Sequence, residues 1–591
     1  MKKMLSVLLC AVTLLLSGGC LTKSEAGVDP IYRSREEWEK RFSVPEYAEN
    51  KKLKTVPDGR PSVTCVNGTF VGNTVDGVDV FKGIPFAQAP VGDLRFVKAQ
   101  SVLPSDEIYD ASYFGMSFMQ PVTNGEAASA YKNGEDCLRL NVWNNTQKSG
   151  APKPVLVYIH GGGFNSGGTS DPLYDGWNFA HYNPDIIVVT ITYRAGMLGF
   201  MNLSGFEDGA DYKYAMNNAF YDQIEALRWI KANIAQFGGD PNNITVCGES
   251  AGGCAVSVLC VMDEAKGLFG KAIAMSGAVN LCVTPEHTLA LTDAVRKDLK
   301  VNSVKELKEI PFEDLRNWWI ANMFTIYNHP CMDGVTLDSD LFKLYRDGKT
   351  KDLIIMQGHT KDEFRYYYTV FNNCLPFYQA VCDEIVKLHA DNSSDNFKKL
   401  YKRYKRIILS LGYTKEDVNR CFADDMSLAI SNTYQAILHA NAGGKGYSYT
   451  FAIPYDNKFN DFELGAAHAV DCSYLFGNFD GLGCLGTDEE VDASIRFQKM
   501  IANFCKTGDP STKEIKWPLY ENKHRNKLNI EASAFTVVEN PEKERVNLVL
   551  KILKQMRSPY SSGLAPIIAK VYADYPEAVK AYRNTMKEVS K

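Results

Sequence analysis

The stretch Ile244-Thr245-Val246-Cys247-Gly248-Glu249-Ser250-Ala251-Gly252-Gly253 constrains the fold more than any other part of this 591-residue chain. A short apolar run, ITVC, ends in G-x-S-x-G and passes into 251–256, whose small and apolar residues suit a closely packed helix. Small residues around a serine let a strand turn directly into a helix with the two backbones nearly touching and the serine at the apex. The pattern occurs once. Alone it is equally compatible with a chance turn, so its meaning depends on whether a base, an acid and oxyanion donors accompany it.

From residue 61 the chain alternates. Apolar runs recur at 69–71, 78–81, 154–159, 186–192, 244–247, 272–275, 353–356 and 447–451. Helical patterns separate several of them, as at 219–237, where apolar residues recur at three- and four-residue spacing. Early hairpin-like runs followed by strand–helix alternation predict an α/β fold, a large mixed and mostly parallel sheet flanked by helices. Residues 283–350 and 364–440 are aromatic-rich and helical in pattern, and are expected as insertions above that sheet. The expected domain is 61–548, followed by a helical tail over 549–591.

Residues 1–19 have a different grammar. Met1-Lys2-Lys3, the apolar run 4–16 and Ser17-Gly18-Gly19 form a charged region, a hydrophobic region and a small-residue cleavage zone, as in an export signal. The apolar run is shorter than the roughly 20 residues that span a bilayer. Cys20 resembles the acylated residue of a bacterial lipoprotein, although Ser17 stands where such signals favour a large aliphatic. The chain is therefore expected to be exported, either periplasmic or membrane-anchored through a lipid on Cys20, with plain secretion the alternative, and 20–60 is expected to be a tether. The net charge of −5 offers no basic stripe for nucleic acid. Fifteen cysteines show neither C-x-x-C pairs nor metal-ligand spacing, so neither zinc nor an extensive disulfide framework is expected.

Residues 160–164, HGGGF, follow the strand-like PVLVYI and form a glycine turn whose N–H groups can face a developing oxyanion. Together with GESAGG, and with FKGIPFAQAPVGDLRF, EDCLRLNVW, NNAFYDQIEALRWIKANIAQFGGDPNNITVC, GAAHAVDCSYLFG and FCKTGDP…KWPLY in order, the chain resembles the type-B carboxylesterase/cholinesterase family of the α/β-hydrolase fold over about residues 61–548. The resemblance implies Ser250 as nucleophile, His468 as its base and Glu363 as the acid that orients the imidazole. Asp362 is the rival acid, which spacing alone does not exclude; the family pattern favours the second position of the Asp-Glu pair. The N–H groups of Gly162, Gly163 and Ala251 match oxyanion donors. Glu249, Ser276 and Asp471 match polar residues beside the triad, with a tuning or a structural role. Arg95 with Glu135, and Arg194 with Asp222, match structural ion pairs, and Phe164 a wall of the site.

Three departures limit the likeness. Phe118 stands where many relatives carry the cysteine partner of Cys137, so that disulfide is expected to be absent. The 118–136 loop has no tryptophan to stack on a quaternary ammonium, and Tyr366 alone is half a cage, which argues against a choline-ester specialist. Phe364 replaces the glycine usual after the acid. The function implied is hydrolysis of a small-molecule carboxylic ester through an acyl-serine intermediate, with no cofactor. The alternatives are a catalytically silent adhesion or binding module, and thioester or amide hydrolysis at the same site.

Overall fold

The computed structural model describes residues 51–555 apart from 121–131, 148–149, 324–325, 327, 371–374, 392–395, 456–457, 460–461 and 480–483. The export signal, Cys20, the tether to residue 50 and the tail beyond 555 lie outside the described residues.

An eleven-stranded sheet organises the molecule. In chain order its strands are β1 (Asn73–Val75), β2 (Val78–Pro85), β3 (Arg139–Asn145), β4 (Lys153–Ile159), β5 (Ile187–Ile191), β6 (Gly239–Glu249), β7 (Lys271–Met275), β8 (Ile354–Thr360), β9 (Lys445–Phe451), β10 (Lys527–Ile530) and β11 (Phe535–Val538). Their spatial order is β11-β10-β9-β8-β7-β6-β4-β5-β3-β2-β1. The seven neighbours from β10 to β5 pair parallel, and the pairings outside them are antiparallel. A second sheet of four short strands joins Lys52–Leu53, Ile108–Asp110, Gly68–Val71 and Ser62–Cys65.

The central strands are apolar on both faces because helices cover both. In β4, Val155, Val157 and Ile159 enter one core while Leu156 and Tyr158 enter the other, and all five are buried. The helix Asn218–Asn233 lies over the first core, and Ala251–Leu259 follows directly from β6. A third apolar cluster, around Trp319, Met197 and Phe96, sits beneath the helices Leu289–Leu299, Val304–Glu309 and Phe312–Asn322 of the first insertion. The second insertion carries Leu375–Asp391, Phe397–Ser410, Asp417–Asp424 and Ile430–Asn441.

The buried face of helix Lys543–Leu553 carries the packed body past residue 548, with Val549, Ile552 and Leu553 in the core. Arg95 grips Glu135 with two hydrogen bonds of 2.6 and 2.7 Å, and Arg194 grips Asp222 with two of 2.8 and 2.6 Å. Arg194 and Asp222 are fully buried, where removing one partner strands a charge at a cost of about 3–5 kcal/mol, while the Arg95–Glu135 pair is part-buried. Cys137 is a buried free thiol, and Phe118 instead stacks on His160. Among the described residues no helix is long and apolar enough to cross a membrane.

Candidate active site

The candidate residues follow the carboxyl ends of five strands that are consecutive in the sheet, the edge at which open α/β sheets place their ligands. Ser250 follows β6, the 160–164 turn follows β4, Ser276 follows β7, Glu363 follows β8 and His468 lies in the segment after β9. Register aligns these ends: Gly248 is paired with Ile159 on one side and Ala274 on the other.

The elbow is real and tight. Ser250 has φ 59° and ψ −121°, a left-handed backbone that costs about 1–3 kcal/mol and persists only where its surroundings enforce it. They do so through glycines that leave no space: a Cβ on Gly252 would stand 2.0 Å from the carbonyl oxygen of Ile159. The Ser250 N–H donates to the Met275 carbonyl at 2.9 Å, and its carbonyl accepts from Cys254 N–H at 2.9 Å. Ser250 itself remains half-buried at the apex.

The glycine turn faces the same space. Gly162 and Gly163 are exposed with φ of 100° and 61°. The Gly162 carbonyl accepts from the Asn165 and Ser166 N–H groups at 3.0 and 2.9 Å, which folds the loop back on itself. Ala251 begins the helix Ala251–Leu259, so its N–H has no partner within the helix. Phe164 is fully buried between Phe200 and His329, with ring centroids 5.1 and 5.5 Å away. It braces the turn from behind.

Glu363 is fully buried and uses both oxygens. Oε2 lies 2.6 Å from His468 Nδ1, while Oε1 accepts from the Ser276 hydroxyl at 2.6 Å and the Thr360 N–H at 2.7 Å. The His468 N–H also donates to the Glu363 carbonyl at 3.3 Å. Asp362 does different work. Its Oδ2 accepts from the Ala466 N–H at 3.2 Å, and its carboxylate faces Arg365 at 3.6 Å and Arg420 at 3.9 Å. It laces the histidine loop to the acid loop and is shielded from water rather than solvated. Phe364, where a glycine is usual, sits in the short 3-10 turn Glu363–Tyr366, and its N–H donates to Asp424. Its ring stacks on Tyr367 at 4.7 Å.

The other edge of the imidazole meets a second carboxylate. His468 Nε2 is 3.1 Å from Glu249 Oε1, close enough for an ion contact but too poorly aligned for a hydrogen bond. Among the described residues the Ser250 hydroxyl makes no hydrogen bond to the ring, a contact that in such sites often tightens only with substrate bound. Burial disfavours a charged ring, but Glu249, Glu363 and the more distant Asp471 outweigh it and raise the His468 pKa to about 9. Burial first, then the neighbouring acids Asp471 and Glu363, raise Glu249 to about 8 against the pull of His468. Burial and Glu363 raise Asp471 to about 7, although the Tyr449 hydroxyl donates to it at 2.8 Å.

Sequence reasoning missed several supporting groups. The Thr360 N–H, the Tyr455 hydroxyl that donates to the His468 carbonyl at 3.0 Å, and Tyr367, whose ring lies 6.1 Å from the imidazole, all frame the site. The run Tyr366-Tyr367-Tyr368 was the available signal for the last, and Tyr366 also approaches the imidazole at 5.9 Å. Among the described residues no group of three or more His, Cys, Asp or Glu is placed to hold a metal ion.

A strained serine elbow, a glycine turn and a buried acid–histidine pair on the strand ends of this sheet are the features of an α/β-hydrolase. The sequence profile of the carboxylesterase family matches residues 59–549, and the chain belongs to that family. It is 32% identical to the para-nitrobenzyl esterase of Bacillus subtilis over 503 residues, covering 82% of this chain and 97% of that one. It is 28% identical to carboxylesterase 1E of Mus musculus, covering 83% and 93%. The crystal structure of a Geobacillus stearothermophilus carboxylesterase superposes with a TM-score of 0.73 at 29% identity, over 82% of this chain and 99% of that one. The protein is a carboxylic ester hydrolase.

Proposed function

We propose that this hydrolase works through a Ser250–His468–Glu363 triad and an acyl-serine intermediate. The observation that carries the reading is Glu363: a fully buried carboxylate 2.6 Å from His468 Nδ1 fixes the tautomer that leaves Nε2 free to accept a proton. Neutral His468 takes the proton of Ser250 as Oγ attacks the ester carbonyl. The oxygen of that carbonyl becomes an anion facing the N–H groups of Gly162, Gly163 and Ala251. The imidazolium then protonates the departing alcohol, leaving the acyl group on Ser250. Water, deprotonated by the same nitrogen, attacks the acyl carbonyl and releases the carboxylic acid. Ser276 and Thr360 hold Glu363 in place, and Glu249 and Asp471 set the charge around the ring.

Relatives that include a para-nitrobenzyl esterase support small aryl and benzyl esters as first substrates. A fluorophosphonate probe should label the protein once, at Ser250. Ser250→Ala should abolish labelling and lower kcat on the order of ~10⁶, the loss seen for comparable nucleophiles. Labelling that persists in that variant refutes the assignment. The leader supports export with a lipid on Cys20, and mass spectrometry of the mature N-terminus from cells tests it: an unmodified N-terminus elsewhere would establish ordinary signal cleavage.

A further inference from the structure

The helix Phe397–Ser410, FKKLYKRYKRIILS, divides its residues sharply between two faces. Phe397, Leu400, Tyr404, Ile407 and Ile408 are buried against the body of the protein. The outward face carries Lys398, Lys399, Lys402, Arg403, Lys405 and Arg406, all exposed, and the helix holds no acidic residue. At 100° per residue these six cations fill an arc of about 160°, along a helix of roughly 21 Å. Among the described residues none of the six makes an ion pair with a carboxylate.

That arrangement is unfavourable to the isolated fold. Like charges three and four residues apart, as in Lys398/Lys402 and Lys399/Arg403, repel and destabilise a helix. The chain as a whole is acidic, with a net charge of −5, so the patch does not follow from composition. An anionic counterpart outside the chain would relieve the repulsion.

We propose that the outward face of this helix docks on the anionic surface of a phospholipid bilayer. Two features favour a bilayer over a soluble polyanion. Leu409 and Leu411, 41% and 44% exposed, adjoin the cations at one end of the helix, and apolar side chains beside a basic strip gain from the headgroup boundary. The face also offers no aromatic platform for nucleobases: Tyr401 is engaged by Phe397, Tyr404 and Phe422 and is capped by Lys405. Long basic side chains on a convex helix match a flat field of phosphates. The contact is independent of the chemistry at Ser250 and would hold the enzyme against a membrane.

The test uses the full-length protein and vesicles of phosphatidylcholine with or without phosphatidylglycerol. The readout is the ratio of partitioning onto the two, so any acyl chain on the protein cancels. A basic residue near an anionic bilayer contributes roughly fivefold. Replacing Lys398, Lys402, Lys405 and Arg406 together by Gln, which keeps helix propensity, should therefore lower that ratio on the order of several hundred-fold. Its kcat/KM on a soluble ester and its Tm should stay at the wild-type values, which shows that the variant is folded. High salt should weaken the wild-type ratio, and Leu409→Asn with Leu411→Asn should reduce vesicle binding while leaving retention on a heparin column unchanged. Equal partitioning of the wild type onto both vesicles, or a quadruple variant that binds as the wild type does, overturns the proposal. So does binding to heparin without binding to anionic vesicles, which would assign the face to a soluble polyanion.

Discussion

Glu249→Gln isolates the charge that the elbow places beside the base. An ordinary histidine titrates near ~6.5, and His468 is raised to about 9 although burial pulls it down. The base works only when neutral, so kcat/KM, which reports the free enzyme, should rise with pH around a midpoint well above the ordinary one. Two unit charges about 4 Å apart interact by about 4 kcal/mol at an effective dielectric constant near 20, equivalent to roughly 3 pH units. That is an upper limit, because Glu249 is itself raised to about 8 and is partly protonated over the same range. Neutralising it should therefore lower the midpoint by about 1–2 units. Gln preserves the fit, which matters because Glu249 Oε2 lies only 3.0 Å from where a Cβ on Gly161 would be.

The assay is the pH dependence of kcat/KM on a nitrophenyl ester, read by pH-stat so that ionisation of the released phenol does not distort it. A midpoint does not depend on the fraction of active enzyme, so partial inactivation by the substitution leaves the test intact. An unchanged midpoint, or one moved to higher pH, refutes Glu249 as the cause. A wild-type midpoint at the ordinary ~6.5 refutes the raised histidine altogether.

Glu363→Gln should lower kcat by at least ~10², since it removes the charge that stabilises the imidazolium and favours the wrong tautomer. Asp362→Asn should cost less than tenfold, roughly, and act mainly on Tm, because the amide oxygen still accepts from Ala466 while Arg365 and Arg420 each lose one of several counter-charges, Asp417 and Asp424 remaining; activity abolished in folded Asp362→Asn with Glu363→Gln intact would reverse the acid assignment. Gly252→Ala should lower Tm and soluble yield because its Cβ meets backbone, whereas Gly270→Ala, with nothing within 4 Å, should melt as the wild type does; equal melting of the two by scanning calorimetry would contradict the steric account of the elbow.

What the sequence revealed follows from how local each signal is. The elbow and the glycine turn are written in consecutive residues, because backbone crowding at Gly252 and left-handed backbone at Gly162 admit few alternatives. Central strands announce themselves as apolar runs because both faces are buried; β4 was expected at 154–159 and spans Lys153–Ile159. Strand β6 begins at Gly239, five residues before its apolar run: Gly239 pairs with Lys153, and the register against β4 then shifts before Ile244, so residues 240–243 leave no apolar signal. Strand β3, within EDCLRLNVW, shows no continuous apolar run in the sequence, because Arg139, Asn141 and Asn144 interrupt its apolar positions. The edge strand β11 carries too few buried residues to stand out, Phe535 alone being buried, and its neighbour β10 is only four residues long. Spacing alone left Asp362 a rival for the acid, and only the folded chain brings Arg365, Arg420 and the Ala466 N–H around it. The contact between Glu249 and His468 was least legible of all. No spacing rule joins the last residue of β6 to a loop beyond β9, yet the elbow that aims Ser250 outward also fixes the residue before it. The geometry that exposes the nucleophile thus sets a buried carboxylate against the base, and the pH at which that base becomes neutral is a consequence of the turn itself.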